Sequence, residues 1–205
     1  MGNRWEDHYA RRARQEKWLA RSVYKLEEID RRFGLLRPGQ RLLDLGCYPG
    51  SWSQYCTRRI GPKGDVVGVD LKAPERFNAP NFRFIQADVL ELDIRWLTAE
   101  VGPRDVVISD LAPRTTGIGV SDVSRSLELA GRALAIALAL LKRKGKFLCK
   151  VFEGEGFGPF RKAISSRFEQ VRIIRPAAVR KASREVYLLA RGPLKSEPQN
   201  IECRM

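Results

Sequence analysis

The chain of 205 residues has a single histidine, His8, and only four cysteines, Cys47, Cys56, Cys149 and Cys203, none of them in a C-x-x-C pair. Neither a zinc-type ligand set nor a disulfide framework can be assembled from that spacing, so no metal is expected and a reduced, cytosolic setting is. No apolar run reaches membrane-spanning length. The longest, LELAGRALAIALALL at 127–141, is about four turns long, carries Glu128 and Arg132, and reads as a core helix. A secretory signal pattern is also missing. Acidic residues are scarce, 24 Asp and Glu against 38 Lys and Arg, a formal charge of +14. Such an excess calls for a polyanionic partner, and because the charge is spread along the whole chain, RNA fits better than a membrane surface.

What the sequence does have is concentrated in residues 42–55, LLDLGCYPGSWSQY. Leu42, Leu43 and Leu45 are of buried-strand type and bracket Asp44. Gly46, Pro49 and Gly50 make a tight turn, and Ser51 opens a helix. A glycine turn at the carboxyl end of a parallel strand is where open α/β sheets bind nucleotide-like ligands. The G-x-G-x-x-G spacing of dinucleotide sites fails here, and Pro49 removes an N–H that a pyrophosphate would want. S-adenosylmethionine, which has no phosphate, suits the turn better. Asp70, ending the strand VVGVD, is placed to accept from ribose hydroxyls, and Asp88, closing FRFIQAD, to read an adenine amino group. Each of these acids taken alone could equally cap a turn or helix.

Along the chain, residues 4–20 form a charged helical lead-in in which Arg11, Arg12, Arg14 and Lys17 are interleaved with Trp5, Tyr9 and Trp18. The basic groups suit phosphates, and the rings either stack on unpaired bases or pack on the domain. Ser22 is positioned to cap a helix in which Val23, Leu26, Ile29, Phe33 and Leu36 recur at helical spacing. Strands are then expected at 41–46, 65–70, 82–87, 105–110 and 146–152, with β-like runs at 169–174 and 184–190 and helices at 51–60, 127–141 and 157–167. Alternating strands and helices imply one α/β domain: a mostly parallel, seven-stranded sheet with helices on both faces. The polar tail from Gly192 is expected to be disordered.

Four further residues stand out chemically. Asp110 ends its strand on the same rim as Asp44. Lys150 lies inside the apolar strand KFLCKVF, Glu185 inside SREVYLLA, and Lys25 on the apolar helix SVYKLEEI. Ionisable groups in such settings need partners. They form either one catalytic cluster or two structural ion pairs.

Taken together, RSVYKLEEI, LDLGCYPGSWSQY, SDLAP, KVFEGEGF and SREVYLLA, in this order from about Arg21 to Arg191, resemble the FtsJ (RlmE-type) family of ribosomal RNA 2′-O-methyltransferases. The resemblance implies a Rossmann-like fold that uses S-adenosylmethionine, over residues 22–191, behind a basic lead-in at 1–21 and ahead of a tail at 192–205. It implies a catalytic tetrad of Lys25, Asp110, Lys150 and Glu185, and a cofactor site lined by Asp44, Gly46, Pro49, Gly50, Trp52, Asp70, Asp88 and Asp110. Cys47, Tyr48 and Ser51 in the cofactor loop, and Arg114 after SDLAP, depart from the family pattern.

The expected reaction is methylation of a uridine 2′-hydroxyl in 23S-type RNA on the assembled 50S subunit by a cytoplasmic monomer. Lys150 is expected to act as the base, which requires it to give up its own proton from a reference pKa of about 10.4. The competing readings are methylation of another RNA such as tRNA, and a non-catalytic ribosome-assembly factor that only binds RNA.

Overall fold

The computed structural model describes residues 4–74, 76–113 and 119–194, and of 4–7 the backbone alone. Arg114 and the tail beyond Leu194, which includes Cys203, lie outside the described residues. Seven strands form one sheet in the order β3-β2-β1-β4-β5-β7-β6. They are β1 (Arg41–Leu45), β2 (Asp65–Asp70), β3 (Phe82–Gln86), β4 (Arg104–Ser109), β5 (Leu141–Phe152), β6 (Phe168–Ile174) and β7 (Glu185–Pro193). The first five run parallel, while β7 is antiparallel to both β5 and β6. The expected mostly parallel, seven-stranded α/β sheet is thus the observed one.

Leu42, Leu43, Val66, Val67, Val106 and Val107 are fully buried, because the central strands are covered on both faces and so read as continuous apolar runs. One face packs on α1 (Arg4–Gln15), α2 (Val23–Phe33) and α3 (Ser51–Ile60), and the other on α4 (Ile94–Val101), α5 (Gly119–Leu140) and α6 (Phe157–Ser165). Among the described residues, no helix is long and apolar enough to cross a membrane.

Several elements differ from the sequence reading. α5 begins eight residues before its apolar run, because Val123 and Ser126 continue the buried stripe and the Ser126 hydroxyl accepts the Phe152 N–H at 3.1 Å. β5 starts at Leu141 rather than 146, the ladder with β4 carrying a register shift between Arg104 and Val106. Ser22 does not cap α2. Its backbone is already helical, its side chain makes no cap bond, and its Oγ instead lies 2.9 Å from Ser51 Oγ. α2 stops at Phe33 because Gly34 adopts a left-handed conformation (φ 57°), so Leu36 is buried outside the helix. The carbonyls beyond its end are held by cations from the sheet: Lys146 Nζ donates to Gly34 O at 2.6 Å and to Leu35 O at 2.8 Å, and Arg191 bonds Phe33 O.

Tyr9 and Trp18 of the lead-in pack on the domain, while the Trp5 side chain lies outside the described residues. Tyr9 meets Tyr24 at a centroid distance of 5.4 Å and Trp18 meets Tyr55 at 6.1 Å. Arg58 sits 4.4 Å over the Trp18 ring and Arg12 4.4 Å over Tyr24. Gln54 ties the segment down further, donating to Lys17 O at 3.0 Å and accepting from Leu19 N at 3.3 Å.

Candidate active site

The crevice between β1 and β4, whose outer neighbours lie on opposite sides, is the topological switch point of the sheet. Its floor is the glycine turn after β1. Gly46 has φ 80°, and a Cβ there would lie 3.0 Å from Leu111 N, so only glycine lets the loops after β1 and β4 approach this closely. Gly46 N–H and Cys47 N–H both bond Val69 O, and Tyr48 N–H donates to Asp70 Oδ2 at 2.9 Å, so the turn runs across the end of β2. The Tyr48–Pro49 peptide is cis. Tyr48 is 46% exposed and its ring lies 5.8 Å from Lys72 Nζ, turned outward rather than into the loop.

The acids differ sharply in setting. Asp44 is fully buried, with Ser53 Oγ donating to its Oδ2 at 2.6 Å and, among the described residues, no partner for Oδ1. Burial pushes its pKa up to about 7; the Ser53 bond opposes this, and the charges of Asp110 and Asp70 add to it. Asp70 accepts Tyr48 N–H on Oδ2 and Lys72 N–H on Oδ1, which leaves carboxylate lone pairs open to a ligand's hydroxyls. Asp88 lies two residues past β3, exposed, and accepts Leu90 N–H at 2.9 Å. Trp52 is buried beneath the turn, its indole N–H donating to Ser22 O at 2.9 Å and its ring 5.8 Å from that of Tyr187. These residues fit S-adenosylmethionine. The turn is built from backbone and glycine, the Asp44 Oδ1 has no donor among the described residues, and Asp70 has acceptor capacity to spare.

The four ionisable residues come together as two pairs. Lys25 Nζ bonds Glu185 Oε1 at 2.6 Å. Lys150 Nζ lies 3.0 Å from Asp110 Oδ1 and 2.6 Å from the same residue's carbonyl oxygen. Tyr187 joins the pairs, its hydroxyl 2.9 Å from Asp110 Oδ1 and 2.7 Å from Glu185 Oε1. Burial first, then the two carboxylates, drive the Tyr187 pKa well above its ordinary value, so the phenol keeps its proton.

Tyr187 was not among the residues singled out from the sequence. The signal was present: two residues beyond Glu185 in a strand, it must face the same side of the sheet, and a buried tyrosine hydroxyl needs a partner. Such a cluster, at the rim of a nucleotide-type crevice, can hold a hydroxyl and take its proton.

A family model described as FtsJ-like methyltransferase matches residues 18–193. The ribosomal RNA large subunit methyltransferase E of Desulfatibacillum aliphaticivorans is 46% identical over 91% of this chain and 90% of its own length. The protein of the same name in Bdellovibrio bacteriovorus is 47% identical over 89% of this chain and 94% of its own. Among solved structures, a putative ribosomal RNA methyltransferase from Plasmodium falciparum superposes with a TM-score of 0.76 at 26% identity, covering 87% of this chain and all of that one.

Proposed function

Because the chain belongs to the FtsJ-like methyltransferase family, we propose that it methylates the ribose 2′-hydroxyl of a uridine in 23S-type large-subunit ribosomal RNA, acting as a cytoplasmic monomer on the assembled 50S subunit. The relatives named for large-subunit ribosomal RNA support the substrate class. The observation that carries the chemistry is the pair Lys150–Asp110, held at the rim of the crevice and tied through Tyr187 to Lys25–Glu185.

S-adenosylmethionine, when bound, supplies an electrophilic methyl group on a sulfonium. Asp44, Gly46, Pro49, Gly50, Trp52, Asp70, Asp88 and Asp110 would form its site, with Trp52 as support beneath the turn. Lys150 is assigned as the base. A neutral lysine amine has two N–H groups and one lone pair. Asp110 offers two acceptors to Nζ, its carbonyl and its carboxylate, so both N–H groups are occupied and the lone pair remains for the hydroxyl proton. The ammonium formed on proton transfer is then stabilised by the Asp110 charge 3.0 Å away. Lys25 and Glu185 position the acceptor and, through Tyr187, hold Asp110 in register.

The test is transfer of labelled methyl groups from S-adenosylmethionine to isolated large subunits, with free ribosomal RNA and tRNA in parallel. Label on the large subunit, mapped to a uridine 2′-oxygen, is the expected result. Label confined to tRNA would redirect the substrate, and label in no RNA would leave an RNA-binding factor.

A further inference from the structure

A second feature of the rim lies outside the tetrad. On the α5 side of the sheet, a cavity of about 360 Å³ opens between the first turns of α5 and the loop following β5. Val120, Val123 and Leu127 give it an apolar wall. Gly154 and Gly156 bring the loop backbone directly against that wall: a Cβ on Gly154 would meet the Val123 side chain at 3.0 Å, and one on Gly156 would meet Leu127 Cδ1 at 2.9 Å. Ser124, Glu155 and Arg184 supply hydroxyl, carboxylate and guanidinium groups to the lining. Val120 is 73% exposed, so apolar surface stands uncovered at the mouth.

The cavity is coupled to the tetrad by the β5–β7 ladder. Phe152 is paired with Glu185, and Glu153 N–H donates to Arg184 O at 2.8 Å. Arg184 and Glu185 are consecutive, so their side chains leave on opposite faces, Glu185 to Lys25 on the α2 side and Arg184 to this cavity on the α5 side. Gly154 lies four residues past Lys150, at most about 13 Å along the chain, so the cavity mouth is within reach of the nucleotide that presents its ribose to Lys150 or of a neighbouring one.

We infer that this cavity holds a single unstacked nucleobase of the RNA strand whose ribose is presented to Lys150, an inference that rests on the function proposed above. Its volume is sufficient for one heterocycle. Apolar walls suit the faces of the ring, while Ser124, Glu155 and Arg184 offer donors and acceptors to its edges, the way single-stranded bases are read. The base belongs either to the acceptor nucleotide or to its immediate neighbour.

The test fills or charges the cavity at exposed positions, with Ser124→Phe and Val120→Asp. Each variant is expected to raise the KM for large subunits about tenfold, with S-adenosylmethionine affinity and Tm unchanged. Ultraviolet cross-linking of the wild-type protein to large subunits should join RNA to peptides spanning 120–127 or 154–156. A cross-link at the methylated nucleotide assigns the acceptor base, and one at the adjacent nucleotide assigns the neighbour; either supports the inference. A KM within about twofold of wild type in both variants, or cross-links only elsewhere, would overturn it. If the wild-type protein methylates no RNA, the parent reading falls and takes this one with it. Methylated RNA with indifferent variants removes the base site alone.

Discussion

Lys150 and Tyr187 are cross-strand partners, directly opposite each other in the antiparallel ladder of β5 and β7. Their side chains therefore leave the sheet on one face, and both reach the same oxygen, Asp110 Oδ1, at 3.0 and 2.9 Å. A phenol carries one proton, yet the Tyr187 hydroxyl lies within bonding distance of two carboxylates. The acids share that single donor, and the two lysines supply the rest of the compensation.

Tyr187→Phe removes the shared donor and keeps the ring against Trp52. The carboxylates of buried Glu185 and partly buried Asp110 each lose a contact, so the variant should lose about 1–3 kcal/mol of stability in denaturant titration. Its kcat should fall roughly 10- to 100-fold as Asp110 and Glu185 lose alignment. Lys150→Ala should lower kcat by about 10²–10⁴-fold, with cofactor binding kept. Unchanged turnover in Lys150→Ala would remove the base assignment.

Asp44 gives the fold a pH dependence. Its pKa is about 7 in the folded chain against the ordinary 3.8, so between these values the native state holds a proton that the unfolded state has released. Stability from this group is therefore complete at low pH and is lost as pH rises to about 7, by up to about 4 kcal/mol. Asp44→Asn, which cannot ionise, should flatten the dependence of unfolding free energy on pH between 4 and 7. It should also be the more stable protein at pH 8, as measured by urea titration at several pH values.

Ser22 offers a double-mutant test. Its hydroxyl pairs with that of buried Ser51 and caps nothing. Ser22→Ala should cost about 1 kcal/mol in the wild-type background and close to nothing in Ser51→Ala. A true helix cap would lose the same amount in both. Asp93, which accepts N–H groups from Arg95 at 2.7 Å and Trp96 at 3.1 Å, is such a cap, and Asp93→Ala should destabilise the protein equally in either background.

The lead-in separates packing from charge. Trp18→Ala removes the ring between Tyr55 and Arg58 and should destabilise the protein by about 2–3 kcal/mol in thermal melts. Exposed Arg14→Glu should leave Tm alone, weaken RNA binding, and reduce the slope of log affinity against log salt by about 1.

The parallel strands were legible because doubly covered strands are apolar throughout, as in VVGVD and DVVIS, and the turn because Gly46 and Gly50 interrupt such a run. That Lys150 and Glu185 need partners was legible because they stand in apolar strands where a lone charge has no place, while their grouping with Lys25 and Asp110 came from the family resemblance. Tyr187 was not, since a tyrosine in a strand is unremarkable until its neighbours across the sheet are known. The start of α5 was hidden by Ser and Asp, which serve as caps in one setting and as buried partners in another, as Ser126 does for Phe152 N–H. Ser22 failed as a cap for the converse reason: its type suits the position, but its hydroxyl was claimed by α3. For Tyr9 and Trp18, composition gave no means of choosing between stacking on RNA and packing on the domain, and the neighbours Tyr24 and Tyr55 decided it.

The carbonyl clamp at the far end of α2 also bears on the reaction. Lys146 and Arg191 grip that end from β5 and β7, the strands that carry Lys150 and Glu185, while Lys25 on the first turn of α2 is bonded to Glu185. The helix is thus riveted to one pair of strands at both ends of its span, about 14 Å apart. Lys25 cannot slide relative to Lys150 without breaking a rivet, so the two amines keep a fixed gauge while RNA and cofactor come and go.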